Sequence, residues 1–193
     1  MRELAILTFQ TLDGVMQSPA SPEEDPSGGF THGGWAVDCW DDVMKQVLQE
    51  AMAEPYDLLL GRKTYELFAP NWSKAPANNP VAMKLNSATK YVVTSTLDTL
   101  EWNNSVTITG DIATEVADLK KQDGVLLQVH GSWQLIQTLL AYDLIDEYRI
   151  WTFPVIIGSG KRLFEAGAAP KNLKLVKSDT CPTGATMNIY RRV

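Results

Sequence analysis

The sequence predicts an α/β fold in which a mixed, mostly parallel central sheet is flanked by helices and closed by antiparallel C-terminal strands. Two observations carry this expectation. Through most of the chain, short apolar runs alternate with stretches whose apolar residues recur at helical spacing, the pattern of strand–helix–strand units. After Glu147 the strand-like runs follow one another with no helical period between them, which suits antiparallel strands closing the sheet.

Leu4 to Phe9 reads as a buried strand, bounded by the turn-forming pair Asp13-Gly14. From Gln17 to about Trp35 the chain turns to Pro, Ser, Glu and Gly, including Ser27-Gly28-Gly29 and Gly33-Gly34, with neither period present. A loop of that length inside a compact domain is uncommon and often functional, so it is a candidate for covering a ligand. Val43, Val47, Leu48, Ala51 and Met52 then share one helical face, with Asp41 and Asp42 at the end where carboxylates suit the helix dipole.

Tyr56 to Leu60 is a short buried strand that stops at Gly61, and a helix starts at Arg62. The Pro- and Asn-rich stretch from Pro70 to Pro80 reads as irregular. Tyr91-Val92-Val93 and Val106-Thr107-Ile108 are further strands, the first followed by the polar triplet Thr94-Ser95-Thr96. Ile112, Val116 and Leu119 have helical spacing, Leu126 to Val129 is strand-like, and Leu135, Ile136, Leu139 and Leu140 mark a helix that begins after Gly131. Glu147 to Phe153, Leu173 to Lys177 and Met187 to Arg191 are the closing strands, and no repeat or second domain interrupts residues 1–193.

Composition narrows the function classes. A chain of 193 residues, 45% hydrophobic and 21% charged, suits one domain with a sizeable core. A net charge of −6 and a pI near 4.9 argue against a nucleic-acid partner, because phosphate backbones need a concentrated positive face. Cys39 and Cys181 lie far apart with no second Cys or paired His nearby, so neither a disulfide framework nor a metal site is expected, and a reducing, cytoplasmic setting is. No segment approaches the apolar length of a membrane span, and the N-terminal run is too short for a signal peptide.

Two junctions share one layout, an apolar strand ending at a glycine with a helix beginning at once. In Leu58-Leu59-Leu60-Gly61-Arg62-Lys63-Thr64 the glycine permits close backbone approach, the helix start offers N–H groups and a positive dipole end, and Arg62, Lys63 and Thr64 add phosphate contacts. In Val129-His130-Gly131-Ser132-Trp133-Gln134, Gly131 can bring the backbone to a pyrophosphate and Ser132 can cap the helix. Each has a bland reading as an ordinary connection; together they suit one pyrophosphate held by two helix N-termini. Thr94, Ser95 and Thr96 could bond an adenosine 2′-phosphate, although a plain polar turn explains them equally well. The chain has no GxGxxG fingerprint, which argues against an ordinary Rossmann dehydrogenase.

The succession of TLDGVM, LLLGRKTYE, VVTST, VHGSWQLIQTLL and FPVIIGSGKRLF resembles the dihydrofolate-reductase-like family, and more closely the reductase domain of the bacterial riboflavin-biosynthesis deaminase/reductase and its stand-alone relatives. The likeness spans nearly the whole chain. It implies NADPH and hydride transfer to a small heterocyclic or sugar-derived substrate, similar to 5-amino-6-(5-phosphoribosylamino)uracil reductase or dihydrofolate reductase.

Carried over by position, Gly61, Arg62, Lys63 and Thr64 would hold cofactor phosphates, Thr94, Ser95 and Thr96 would lie near the 2′-phosphate, and Gly131, Ser132, Trp133 and Gln134 would complete the cradle. The Thr11 to Gly14 turn would border nicotinamide and substrate. Asp13 is a substrate-contact candidate that also reads as a plain Asp-Gly turn. Asp38, Asp41 and Asp42 lie near the place of the folate-reducing members' acid without an alignable spacing, and helix capping and dipole compensation explain the latter pair. Trp35 and Trp40, beside the long loop, are the candidates for stacking on a planar substrate. His130 reads as a strand-end packing residue. The chain has no zinc-deaminase signature. The likeness also implies a homodimer, with the late strands as a plausible interface. Two other readings stand beside the reductase: a non-catalytic nucleotide- or pterin-binding module, and a regulatory or structural homodimer presenting the acidic loop Glu23 to Asp25.

Overall fold

The structure is a computed structural model that describes every residue except Gly167. Its elements run β1 (Leu4–Thr11), α1 (Asp42–Ala51), β2 (Tyr56–Gly61), α2 (Arg62–Trp72), α3 (Pro80–Ser87), β3 (Lys90–Val93), β4 (Ser105–Ile108), α4 (Ile112–Lys121), β5 (Leu126–His130), α5 (Trp133–Ala141), β6 (Glu147–Phe153), β7 (Leu173–Thr180) and β8 (Thr186–Arg192). The strands form a mixed sheet in the order β4-β3-β2-β5-β1-β6-β8-β7. The expected α/β class, mostly parallel with antiparallel C-terminal strands, is what the chain adopts. The chain divides into two compact units, Met1–Ala5 with Glu54–Ile145, and Ile6–Ala53 with Asp146–Val193.

In the first unit β2 lies between β3 and β5, all parallel, and β4 extends β3. Leu58, Leu59, Leu60, Leu127 and Val129 are completely buried, so both faces of β2 and β5 are covered, as parallel strands require. Their near-continuous apolar runs therefore signalled them without any alternation. Arg2, nearly buried, ties the edge of this unit by donating to Asp57 (2.5 Å) and to the Val125 carbonyl (2.7 Å).

One expectation fails here, and one helix has no counterpart in the sequence reading. The stretch from Pro70 to Pro80 is not wholly irregular: α2 carries Pro70 in its last turn and continues to Trp72. A proline that late removes one hydrogen bond without a following helix to break. The helix α3, absent from the sequence reading, starts at Pro80 behind Asn79, whose Oδ1 accepts from Val81 N (3.0 Å) and Ala82 N (3.1 Å). An Asn cap before a first-turn proline is a recognised start signal. It went unread because only Ala82 and Leu85 of that helix are buried, too few to show a period.

In the second unit β8 pairs antiparallel with β6 and β7, with a register irregularity between Leu175 and Lys177. β7 runs to Thr180, past the predicted end at Lys177, because pairing with β8 carries the polar stretch Ser178 to Thr180 where composition alone shows no strand. Its core joins Met44 and Val47 of α1 to Trp151, Phe153, Cys181 and Met187, with Phe9 and Trp35 at its border.

The long loop is fastened within this unit. Gln17 donates to the carbonyls of Asp25 (2.8 Å) and Ser27 (2.9 Å), and Ser18 Oγ accepts from Asp25 N (2.8 Å). The Lys161 ammonium pairs with Asp25 and donates to Ser27 Oγ (2.7 Å). Burial pushes the Asp25 carboxyl up, but these bonds from Lys161 and Ser27 outweigh it and hold the group below its usual range.

Candidate functional site

Helix starts separate into two kinds. α1, α3 and α4 are capped by Asp41, Asn79 and Asp111, which accept from backbone N–H groups of their own first turns. α2 and α5 have no side-chain cap, and neither carries an acidic residue in its first turn. These are the two junctions singled out from the sequence. An uncapped helix start with no acid beside it leaves its positive end for an anion.

Ser132 does not cap α5 as expected. A capping residue normally has an extended backbone, whereas Ser132 is left-handed (φ 54°), directly after left-handed Gly131 (φ 51°). The hydroxyl is turned back to the strand ends, accepting from Gly61 N (3.0 Å) and donating to His130 O (3.0 Å). Ser132 N in turn donates to Thr64 Oγ1 (3.1 Å). One serine thus clamps the two junctions to each other, and the left-handed backbone costs about 1 kcal/mol, which these bonds offset.

The remaining residues of this cluster divide by role. Arg62 pairs with Glu66 at 3.0 Å, so part of its charge is answered within α2, while Lys63 and Gln134 are exposed. Trp133 stands in the first turn of α5, half-buried. The polar triplet also splits: Thr94 is buried and its hydroxyl accepts from Thr96 N and Leu97 N (both 3.2 Å), setting the turn after β3. Ser95 and Thr96 are exposed. His130 is buried, its ring tilted on Tyr56 and edge-on to Phe68.

In the second unit, Asp13 is engaged with its own chain. It accepts from the Thr11 hydroxyl (2.6 Å), from Ile157 N (3.2 Å) and from Gly158 N (2.8 Å), and Arg162 binds both its carbonyl and its carboxylate. The Thr11 hydrogen bond, with those of Gly158 and Ile157, outweighs burial and holds its carboxyl at about 2. A carboxyl depressed in the folded state contributes stability above its unfolded value near 3.8, and that contribution is lost as pH falls through about 2. Unfolding titrations between those limits should therefore show a steeper loss in the wild type than in Asp13→Asn; parallel curves would remove the carboxylate from this role.

Asp42 is exposed and pairs with Lys45 at 2.9 Å. Asp41 caps α1 through Oδ1, which accepts from Met44 N (2.6 Å), while its Oδ2 is buried with no hydrogen-bond partner among the described residues. Trp35 is fixed, its Nε1 donating to Gln17 O (2.8 Å) and its ring edge-on to Phe153. Trp40 is 40% exposed and tilted on Phe9, so of the two it keeps the more open ring. Cys39 and Cys181 are free thiols pushed up by burial, which makes them weak nucleophiles at neutral pH.

Sequence reasoning passed over Gln128 and Lys90. Both are completely buried, and neither polar atom of the Gln128 side chain has a hydrogen-bond partner among the described residues. The available signal was a polar residue inside or beside an apolar strand run. Among the described residues no group of three or more His, Cys, Asp and Glu is arranged to hold a metal, and no helix is long and apolar enough to cross a membrane.

The family described as the RibD C-terminal domain matches residues 2–187. The protein YyaP of Bacillus subtilis is 28% identical over 187 residues, covering 93% of this chain and 89% of YyaP. YwjB of the same organism is 29% identical over 118 residues, covering 61% of this chain and 63% of YwjB. A riboflavin biosynthesis protein from Shewanella sp. PV-4 superposes with a TM-score of 0.66 at 19% identity, covering 100% of this chain and 99% of that one. A dihydrofolate reductase from Enterococcus faecalis, complexed with NADP(H), superposes with a TM-score of 0.60 at 16% identity, covering 98% and 96%. The two superpositions show a dihydrofolate-reductase-like fold, and the matched family is of reductase type.

Proposed function

Because the chain belongs to the RibD C-terminal domain family, we propose that it is a cytoplasmic, NADPH-dependent reductase that transfers a hydride to a small heterocyclic or sugar-derived substrate. The observation that carries this reading is the pair of uncapped, acid-free helix starts at Gly61–Arg62 and Ser132–Trp133, clamped by Ser132. The residues fit the group. Backbone N–H groups at the starts of α2 and α5 would hold the pyrophosphate, Lys63 and Arg62 would supply positive charge, and Ser95 and Thr96 would offer hydroxyls to the 2′-phosphate.

When bound, NADPH supplies the hydride. The protein contributes orientation, which lowers the barrier by holding reacting groups in place before the reaction. The clamp matters here because it fixes the two phosphate-binding starts relative to one another before ligand arrives, so less ordering is left to be done on binding.

Titration with NADPH and with NADH, followed by tryptophan fluorescence, tests the reading, since Trp133 stands in the first turn of α5. Micromolar binding that favours NADPH is expected, followed by NADPH oxidation with a member of a panel of pterins, flavin precursors and small carbonyls. Binding without oxidation by any of them would leave a nucleotide-binding module. Absence of binding to either nucleotide would sink the reductase reading.

A further inference from the structure

Lys90, the first residue of β3, is completely buried, at 0% exposure. Its Nζ donates to the carbonyls of Asn86 (2.9 Å) and Asn103 (2.8 Å) and lies 4.6 Å from the centre of the Trp102 ring. Asn86 completes the knot: its Oδ1 accepts from Trp102 Nε1 (2.6 Å) and its Nδ2 donates to Trp72 O (3.0 Å). Trp102 N donates to the hydroxyl of Tyr65 (3.0 Å), and Asn104, in a left-handed backbone, donates to Asn86 O (3.2 Å).

A lysine here opposes stability in the simplest sense. Burial pulls its ammonium down to about 8, so the charged form is disfavoured where a Met would pack without that cost. What the lysine supplies is a pair of donors. The Asn86 carbonyl lies in the last turn of α3, where carbonyls have no partner within the helix, and the Asn103 carbonyl lies just before β4. The lysine therefore joins the end of α3 to the end of the segment that connects β3 with β4.

That segment, residues 94–104, begins with Thr94, Ser95 and Thr96. Its first turn is set by the Thr94 hydroxyl, and its far end is held by Lys90, Asn86 and Tyr65. Tyr65 follows Thr64 directly in α2, the helix that begins at Arg62. Resting on the reductase reading above, we infer that Lys90 is a positioning residue for cofactor choice: by fastening the far end of the 94–104 segment to α3, beside the Tyr65 bond that ties the same end to α2, it sets Ser95 and Thr96 relative to the α2 start and favours nucleotides that carry an adenosine 2′-phosphate.

Lys90→Met, which removes both donors and keeps the stem, and Tyr65→Phe, which removes only the acceptor for Trp102 N, test this. Hydrogen exchange without ligand should quicken at residues 95–104 and stay unchanged in β5. Affinity for adenosine 2′,5′-bisphosphate should fall about tenfold in Lys90→Met and about threefold in Tyr65→Phe, with inorganic pyrophosphate altered by less than about twofold. The preference for NADPH over NADH should shrink in step. A folded Lys90→Met with unchanged exchange at 95–104 and unchanged preference overturns the inference, as does equal weakening of every ligand, the mark of a general loss of stability. If Lys90→Met does not fold, an unaltered preference in Tyr65→Phe overturns it. Should the wild type bind neither nucleotide, the reductase reading fails by itself. The exchange data then decide the fastening: quicker exchange confined to 95–104 upholds it, and no change overturns it.

Discussion

Gly131→Asp is expected to weaken NADPH binding on the order of 100-fold while leaving the protein folded. Gly131 has φ +51°, a left-handed conformation that Asp and Asn tolerate better than most residues. A Cβ placed there meets only Thr64, at 3.7 and 3.9 Å, which is ordinary contact, so the stability cost should be about 1 kcal/mol. The added carboxylate stands at the clamp between two helix starts that otherwise carry no acid. Two unit charges about 5 Å apart at an effective dielectric of about 20 repel by about 3 kcal/mol. Gly131→Asn has nearly the same shape without the charge and should bind within about threefold of the wild type. Fluorescence titration with parallel thermal melts decides the matter: equal loss in both variants would mean that no phosphate lies beside Gly131.

Gly33→Ala should cost the most stability of any single methyl added to the long loop, about 2–4 kcal/mol. Its Cβ would stand 2.6 Å from Pro22 Cα, 2.7 Å from Ser21 O and 2.9 Å from Ser18 Cβ. The first two are main-chain atoms and the third is the root of a side chain, so no rotamer change relieves the clash. Gly28→Ala separates this from backbone strain, because Gly28 has φ +72° but nothing within 4 Å of its Cβ, and about 1 kcal/mol is expected. Denaturant unfolding of the pair measures the difference directly. Similar losses would mean that Pro22 moves aside and that the loop is less firmly held than the bonds of Gln17, Ser18 and Asp25 indicate.

Much of the fold was legible because burial repeats along the chain. β2 and β5 announced themselves through unbroken apolar runs, and α4 through Ile112, Val116 and Leu119. Failures occurred where that repetition is thin. α3 buries only Ala82 and Leu85, and the end of β7 is polar and stands as strand through its ladder to β8. The candidate site was legible to the same extent. Gly61 and Gly131 marked two helix starts from local pattern alone, and the structure adds that these are the starts left without a capping side chain.

The sequence by itself determined where most strands and helices lie, that the sheet is mixed, and which two glycines open onto helix N-termini. Each of these follows from spacing within a few residues, where hydrophobic burial is repeated often enough to dominate. Tertiary structure alone decided how the polar groups are used. The Ser132 hydroxyl receives the N–H of Gly61, 71 residues away in sequence, instead of capping its own helix. Asp13 receives Gly158 N from 145 residues away, and Lys90 joins two carbonyls that no local pattern brings together. A hydroxyl, carboxylate or ammonium has several possible partners, each worth about 1 kcal/mol net. Which of them lies within about 3 Å is set only when the chain has folded.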